Sequence, residues 1–401
     1  METPTKKTFV SAGAYVEEIS KSNPIPEVST NTAAFIGATK SGPYNAPVLV
    51  RSFQEFEVKF GGYISAPRQY LAYAVDLFFQ NGGGSAYIVR AAELPVARSS
   101  LDMPIAASKL KISPAAVAAS ADPVPALDID AALSALEKAD DASIIVIPGV
   151  CGKDVYDKVI AHCSRMECRF AILDLPSGCS PEQAAEKRRA EITSATGMAA
   201  VYYPWLQITD PVTKGTVIVP PSGAVAGIIA AVDTYKGVHV APANVSIAGV
   251  TGAERTISSQ EQEALVINNV NAIRPFSGKG ILVWGARTVS DDPVWRYISA
   301  RRLLMYLKKF FCVNTKWAAA GPNDGNLWKK VKEFVSVQLT QHWRAGMLAG
   351  ATPEESFYVK CGLSETMTPA DIMNGTLIIE IGAAAVRPNE FIVFRIVHQC
   401  G

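Results

Sequence analysis

SIIVIPG (143–149), RFAILDLP (169–176) and AAVYYPWLQI (199–208) are three apolar runs, and the residues between them carry helical signals. A helix is expected around Ile129–Lys138, ahead of the first run, and another near Asp154–Met166, ahead of the second. Ser180-Pro181-Glu182-Gln183 reads as a capping box with proline at the first helical position, so a third helix begins there. Apolar runs of this length alternating with helices imply parallel strands covered on both faces. VPPSGAVAGIIAAVDTYKGV (219–238) continues the series as a strand, Ser222 as N-cap, and a helix of small residues able to pack closely.

Upstream, AAFIGATKSGP (33–43) reads as a buried strand closed by Gly42-Pro43, APVLVRS (46–52) as a short second strand, and SAYIVRAA (85–92) as another. Between them RQYLAYAVDLFFQNGG (68–83) has helical spacing, with Asn81-Gly82-Gly83 as its stop. Residues 93–127 turn Ala-, Ser- and Pro-rich and are expected to be a variable surface insertion. Before the body, Phe9–Ile19 can be extended, and residues 20–31 are polar with Pro24 and Pro26, a linker whose twelve residues reach up to roughly 40 Å.

The C-terminal third changes character. GKGILVWGART (278–288) is a strand. In residues 294–311, Tyr297, Ala300, Leu304, Leu307 and Phe311 make one stripe, while Arg301, Arg302, Lys308 and Lys309 point elsewhere. Residues 326–348 carry Leu327, Val331, Val335, Leu339, Trp343 and Met347 at four-residue spacing. Thr352-Pro353 and Thr368-Pro369 open two further helices. The chain ends in two strong strands, 375–382 and 389–399, and in the last one Ile392, Phe394 and Ile396 face opposite to Val393, Arg395 and Val397. Such a pair presents an edge that something must cover.

A chain of 401 residues suggests two or three domains, and 49% hydrophobic against 19% charged residues supplies a large core. The formal charge of +1 lacks the basic excess of nucleic-acid binders, so no nucleic-acid partner is expected. Seven cysteines are an odd number in a long chain, which argues for thiols in a reducing compartment. The N-terminus lacks an apolar signal segment, and the uncharged stretch 215–232 is broken by Pro220-Pro221, so no membrane binding by the chain itself is expected.

Enzyme motifs are mostly absent: there is no P-loop, no GxSxG and no HExxH, and Gly82-Gly83-Gly84 follows a helix rather than a strand. His162 has Cys151, Cys163, Cys168 and Cys179 in its neighbourhood, but the cysteine spacings of 12, 5 and 11 do not resemble paired zinc ligands, and buried thiols are the expectation. No metal, cofactor or catalytic residue is assigned. One enzymatic alternative stays open, an α/β site at the strand ends around Asp174, against which Asp174-Leu175-Pro176 is an ordinary strand exit.

AGAYVEEI (12–19), TAAFIGATKSGPYNAPVLVRSFQEFEVKFGG (32–62), AVDLFFQNGGGSAYIVR (74–90), GVHVAPANVSIAGV (237–250), GILVWGARTVSDDPVWRYISARRL (280–303), GATPEESFYVKCG (350–362) and GTLIIEIGAAAVRPNEFIVFRI (375–396) occur in an order that resembles the contractile tail sheath proteins of bacteriophages, R-type pyocins and extracellular contractile injection systems. The resemblance covers nearly the whole chain and is weakest over 93–127. Ser11-Ala12-Gly13-Ala14 stands where the family has proline-glycine before the tyrosine, which leaves the local turn open.

The resemblance implies an α/β fold with an α+β C-terminal part: a central mixed sheet flanked by helices, and extended N- and C-terminal β arms. The implied parts are an arm and linker at 1–31, an α/β domain at 32–250, an inner domain facing a tube at 251–388, and an arm strand at 389–401. The chain would be a structural protomer stacked in hexameric rings around an inner tube, assembled in the bacterial cytoplasm into a phage or other contractile particle. Its partners would be neighbouring sheath subunits, the tube protein, and baseplate and terminator proteins. The implied inter-subunit strands carry Tyr15, Val16, Glu17 and Ile19 in one arm, and Phe391, Val393, Phe394 and Ile396 in the other. Lys329, Lys330, Lys332 and Glu333 are the candidate tube contact. A type VI secretion sheath is the nearest alternative of the same kind, disfavoured because there the role is shared by two chains.

Overall fold

The computed structural model describes residues 25–64, 69–93, 127–385 and 391–400, the last stretch with side chains from 393. The arm expected at Phe9–Ile19 and nearly all of the 93–127 insertion lie outside them.

In chain order the first elements are β1 (Ala33–Gly37), β2 (Val48–Val50), α1 (Phe53–Phe60), α2 (Leu71–Gln80) and β3 (Ala86–Arg90). Next come α3 (Ile129–Leu136), β4 (Ile144–Val146), α4 (Lys153–Met166), β5 (Phe170–Asp174), α5 (Pro181–Glu191) and β6 (Ala199–Tyr203). Then follow β7 (Leu206–Thr209), β8 (Thr216–Val219), α6 (Ser222–Tyr235), β9 (Val245–Ser246), β10 (Gly252–Ala253), α7 (Ser259–Ile267), β11 (Asn271–Phe276) and β12 (Gly280–Val283). The last elements are α8 (Ile298–Asn314), α9 (Gly325–Arg344), α10 (Pro353–Ser356), β13 (Phe357–Lys360), α11 (Pro369–Met373), β14 (Thr376–Ala384) and β15 (Phe391–Gln399).

The main sheet runs β2-β3-β1-β4-β5-β6-β11-β12-β9. Its centre, from β3 to β11, is parallel, while β2, β12 and β9 are antiparallel, so the sheet is mixed. Strands β1, β4, β5 and β6 are buried along their whole length, as strands covered on both faces must be. Helices α2 and α6 pack on each other, and so do α3 and α4. The Ser180 box is made: Gln183 N–H donates to Ser180 Oγ at 3.2 Å and Ser180 N–H to Gln183 Oε1 at 2.9 Å. The α2–α6 contact depends on missing side chains, since a Cβ on Gly223 or Gly227 would lie 2.4 Å from the carbonyl oxygen of Ala74 or Phe78.

Three readings change. AAVYYPWLQI is not one strand: it breaks at Pro204, and β7 joins β8 and β10 in a small separate sheet. Ser222 is not an N-cap but lies inside α6, with Pro221 at the cap position. The boundary expected at 250 falls inside the first core, because β11 and β12 extend the main sheet.

A second core fills the space between α8, α9 and the sheet β13-β14-β15, with Leu307, Phe311, Val331, Val335, Leu339, Leu377, Ile379 and Ile381 at its heart. Helix α8 serves both cores: Ile298 and Met305 belong to the first, while Leu303, Leu304 and Leu307 belong to the second. Arg301 and Arg302 do point away from the apolar stripe, but into the seam rather than into solvent. Arg302 pairs bidentately with Asp233 of α6, both bonds at 2.7 Å. The Arg301 guanidinium lies 4.6 Å from the Trp295 ring centre and 3.2 Å from Met198 Sδ, and burial pulls its pKa down to about 10.

Candidate functional site

The terminal sheet is the part of the molecule whose geometry most directly offers an interface. Strand β14 pairs antiparallel with β13 over Phe357–Lys360 and with β15 over Phe391–Gln399. Its inward residues Leu377, Ile379 and Ile381 are fully buried, and Phe394 and Ile396 of β15 join them. On the outward face Lys360, Glu380 and Arg395 stand directly opposite one another across the three strands. Arg395 donates to Glu380 Oε2 at 2.7 Å and 2.9 Å, and Lys360 Nζ lies 3.7 Å from Oε1. The Arg395 bond is the main reason that the Glu380 carboxyl is held below its ordinary range.

Beside this ladder Val393 and Val397 are half-exposed, at 49% and 56%. Among the described residues neither β13 nor β15 has a strand on its outer side. Unpaired N–H and C=O groups on such edges accept an added strand. A groove of about 500 Å³ borders β15 at Arg395–Val397, with Lys308, Cys312 and Lys316 of the α8 region on its far wall.

The arm residues named from the sequence divide accordingly. Tyr15, Val16, Glu17 and Ile19 lie outside the described residues, as does the side chain of Phe391. Val393 faces outward, whereas Phe394 and Ile396 face the second core of their own chain. The expected loan of the last strand is not what the single chain displays: β15 closes on β14 of the same polypeptide. A chain alone has only its own strand to lay against that edge.

The candidate tube face is the outer side of α9. Lys329, Lys330 and Glu333 are exposed, in line with Val337, Gln341 and Arg344. Lys332 sits apart, half-buried and 3.3 Å from Glu365. Phe334 and Trp317 meet edge-on beside this face, ring centres 6.2 Å apart. The sequence reading did not name this aromatic pair, because Trp317 belongs to the turn before α9.

Asp174, the one carboxylate with an enzymatic alternative, is 2% exposed and fully engaged. It accepts from Ser222 Oγ at 2.6 Å, Ser222 N–H at 3.1 Å and Gly149 N–H at 3.0 Å. It thereby caps α6 from the end of β5 and ties down the loop after β4. Desolvation pushes its pKa up to about 6, against those hydrogen bonds. His162 is likewise structural: Arg169 Nη1 lies 2.7 Å from its Nε2, and burial, with Arg169 beside it, drives its pKa down to about 4. The seven cysteines are free thiols, and no group of His, Cys, Asp and Glu among the described residues has metal-binding geometry. No helix among them is long and apolar enough to cross a membrane.

Comparison with known proteins agrees with this division into two cores. Residues 122–289 match the phage tail sheath protein central domain, and residues 290–399 the phage tail sheath C-terminal domain. The tail sheath protein of Escherichia phage P2 is 23% identical over 257 residues, 63% of this chain and 62% of that protein, so the match spans less than two thirds of that relative. The sheath complex of the extracellular contractile injection system PVC, in its contracted state, is 27% identical with a TM-score of 0.70, covering 98% of both chains. The contracted helical sheath of the anti-feeding prophage gives 26% and 0.70, covering 97% of this chain and 99% of that one. Two adjoining domain matches and a fold shared end to end with contracted sheaths place the chain in one family: it belongs to the phage tail sheath proteins.

Proposed function

We propose that this chain is the protomer of a contractile sheath that polymerises as stacked six-subunit rings around an inner tube and shortens to drive that tube through an envelope. The observation that carries the reading is the three-stranded terminal sheet, whose two edges have no further strand among the described residues, backed by a body of two cores that share α8. Family membership supports it, and so do the contracted assemblies that share the fold.

In this reading the strand carrying Tyr15, Val16, Glu17 and Ile19 adds to a neighbour's terminal sheet, and β15 is exchanged between copies in the register that it shows here against β14. Main-chain bonds of about 1 kcal/mol each give a few kcal/mol per added strand, and several joints per subunit make a mesh. Contraction is a shift between two packings of one rigid body, powered by surface buried in the shorter lattice. Lys329, Lys330 and Glu333 on α9 meet the tube, with Lys332 beside them. Asp174 holds the fold and has no catalytic part. Assembly takes place in the bacterial cytoplasm.

Strand exchange is tested by cross-linking. Ile378 and Val397 stand directly opposite each other on the outward face, within disulfide reach for cysteines at those positions. The Ile378→Cys/Val397→Cys protein, assembled and oxidised, is expected to run as a ladder of linked chains on a non-reducing gel. A band at monomer size alone from well-formed tubes would show that β15 stays at home. Deleting residues 1–20 is expected to abolish tubes and leave a folded body, read by electron microscopy and circular dichroism.

A further inference from the structure

The linker expected at 20–31 is not free along its whole length. From Pro26 onward it is laid across the seam between the two cores. Asn314 Nδ2 of α8 donates to the Pro26 carbonyl at 3.1 Å, and Val28 packs against the second core. The Thr30 carbonyl accepts two hydrogen bonds, from Arg302 Nη2 at 2.7 Å and from Ser143 Oγ at 2.6 Å. Asn31 Nδ2 donates to Thr234 Oγ1 of α6 at 2.9 Å. Beneath the segment lies a cavity of only about 20 Å³, lined by Val28, Thr30, Ser143, Arg302 and Met305 among others, no more than one water's worth of space. Arg302 Nη2 therefore donates both to Asp233 and to the linker, while Nη1 donates to Asp233 alone.

We propose that residues 26–32 are a strap fastened over the seam by Arg302, Ser143 and Asn314, and that the tether of the N-terminal arm starts at residue 25 rather than at residue 31. Twelve extended residues span roughly 40 Å, but the residues between Ile19 and Pro26 span only about 20–25 Å. The arm is thus a short leash, and any pull on it arrives at the joint of α8, α6 and β4 instead of being absorbed by slack. The tether argument rests on the sheath reading; the strap itself does not.

Two measurements separate them. In the isolated full-length protein, a glutamate-specific protease cuts after Glu27 only when the strap lifts. Arg302→Lys keeps a cation for Asp233 but cannot hold both Asp233 and Thr30. Ser143→Ala/Asn314→Ala removes two fasteners and leaves the Arg302–Asp233 pair intact, which guards against misfolding. Each variant is expected to be cut after Glu27 about tenfold faster or more, with the unfolding transition retained. Equal rates in a folded variant overturn the strap. In assembly, deleting Ser20, Lys21 and Ser22 is expected to block ring formation, and adding Ser143→Ala/Asn314→Ala to restore it by paying out leash. A deletion that assembles normally overturns the short tether. Wild-type protein that never forms rings counts against the sheath reading alone, with the cleavage rates still deciding the strap.

Discussion

Burial pushes the Asp174 carboxyl up to about 6 and pulls the His162 imidazole down to about 4. For Asp174, raised above its unfolded value, the contribution to stability is complete below the unfolded pKa and is lost as pH rises through about 6. For His162, lowered, the contribution is present above the unfolded pKa and is lost as pH falls toward about 4. The two slopes oppose each other between about pH 4 and pH 6 and largely cancel. His162→Gln, which still accepts from Arg169, is expected to uncover the Asp174 slope. Its unfolding free energy should rise relative to wild type by about 2–3 kcal/mol on acidification across that window, read by denaturant titration. Asp174→Ala should cost about 3 kcal/mol at neutral pH, because three buried donors lose their acceptor. Asp174 was visible in the sequence only as an ambiguous carboxylate at a strand end. Its role depends on Ser222, 48 residues away, and no local pattern encodes that meeting.

Among the elements, those whose signals are local were readable: the Ser180 capping box, the alternation of β15 and the four-residue stripe of α9 all stand where their spacing puts them. Helix α7 and strands β11 and β13 went unread, since α7 has no apolar stripe, β11 is interrupted by Arg274 and Pro275, and β13 is only four residues long. Arg301 and Arg302 gave no sign of burial, because a charged residue off the apolar stripe looks solvated until a second core closes over it. For α9, Lys329→Glu/Lys330→Glu is expected to leave stability within about 0.5 kcal/mol of wild type and to abolish co-sedimentation with the inner tube. For the terminal sheet, Glu380→Ala should destabilise by about 1 kcal/mol, and Lys360→Ala by less, since its ammonium is half-exposed. Thermal unfolding at neutral pH checks both.

On the scale of the whole molecule, the reading requires bodies that move without deforming. Contraction in nucleotide-free buffer should proceed to the same extent as in buffer containing nucleotide, as measured by tube length in electron micrographs. Shortening that needs nucleotide would place the energy source outside the sheath. The bare seam of Gly223 and Gly227 against the backbone of α2 bears on how such a sleeve carries load. Where two helices meet carbonyl to Cα, no side chains remain to change rotamer and yield under compression. Thrust that crosses the contact between α2 and α6 therefore meets backbone on backbone there, and any give must come from the side-chain layers elsewhere in the two cores.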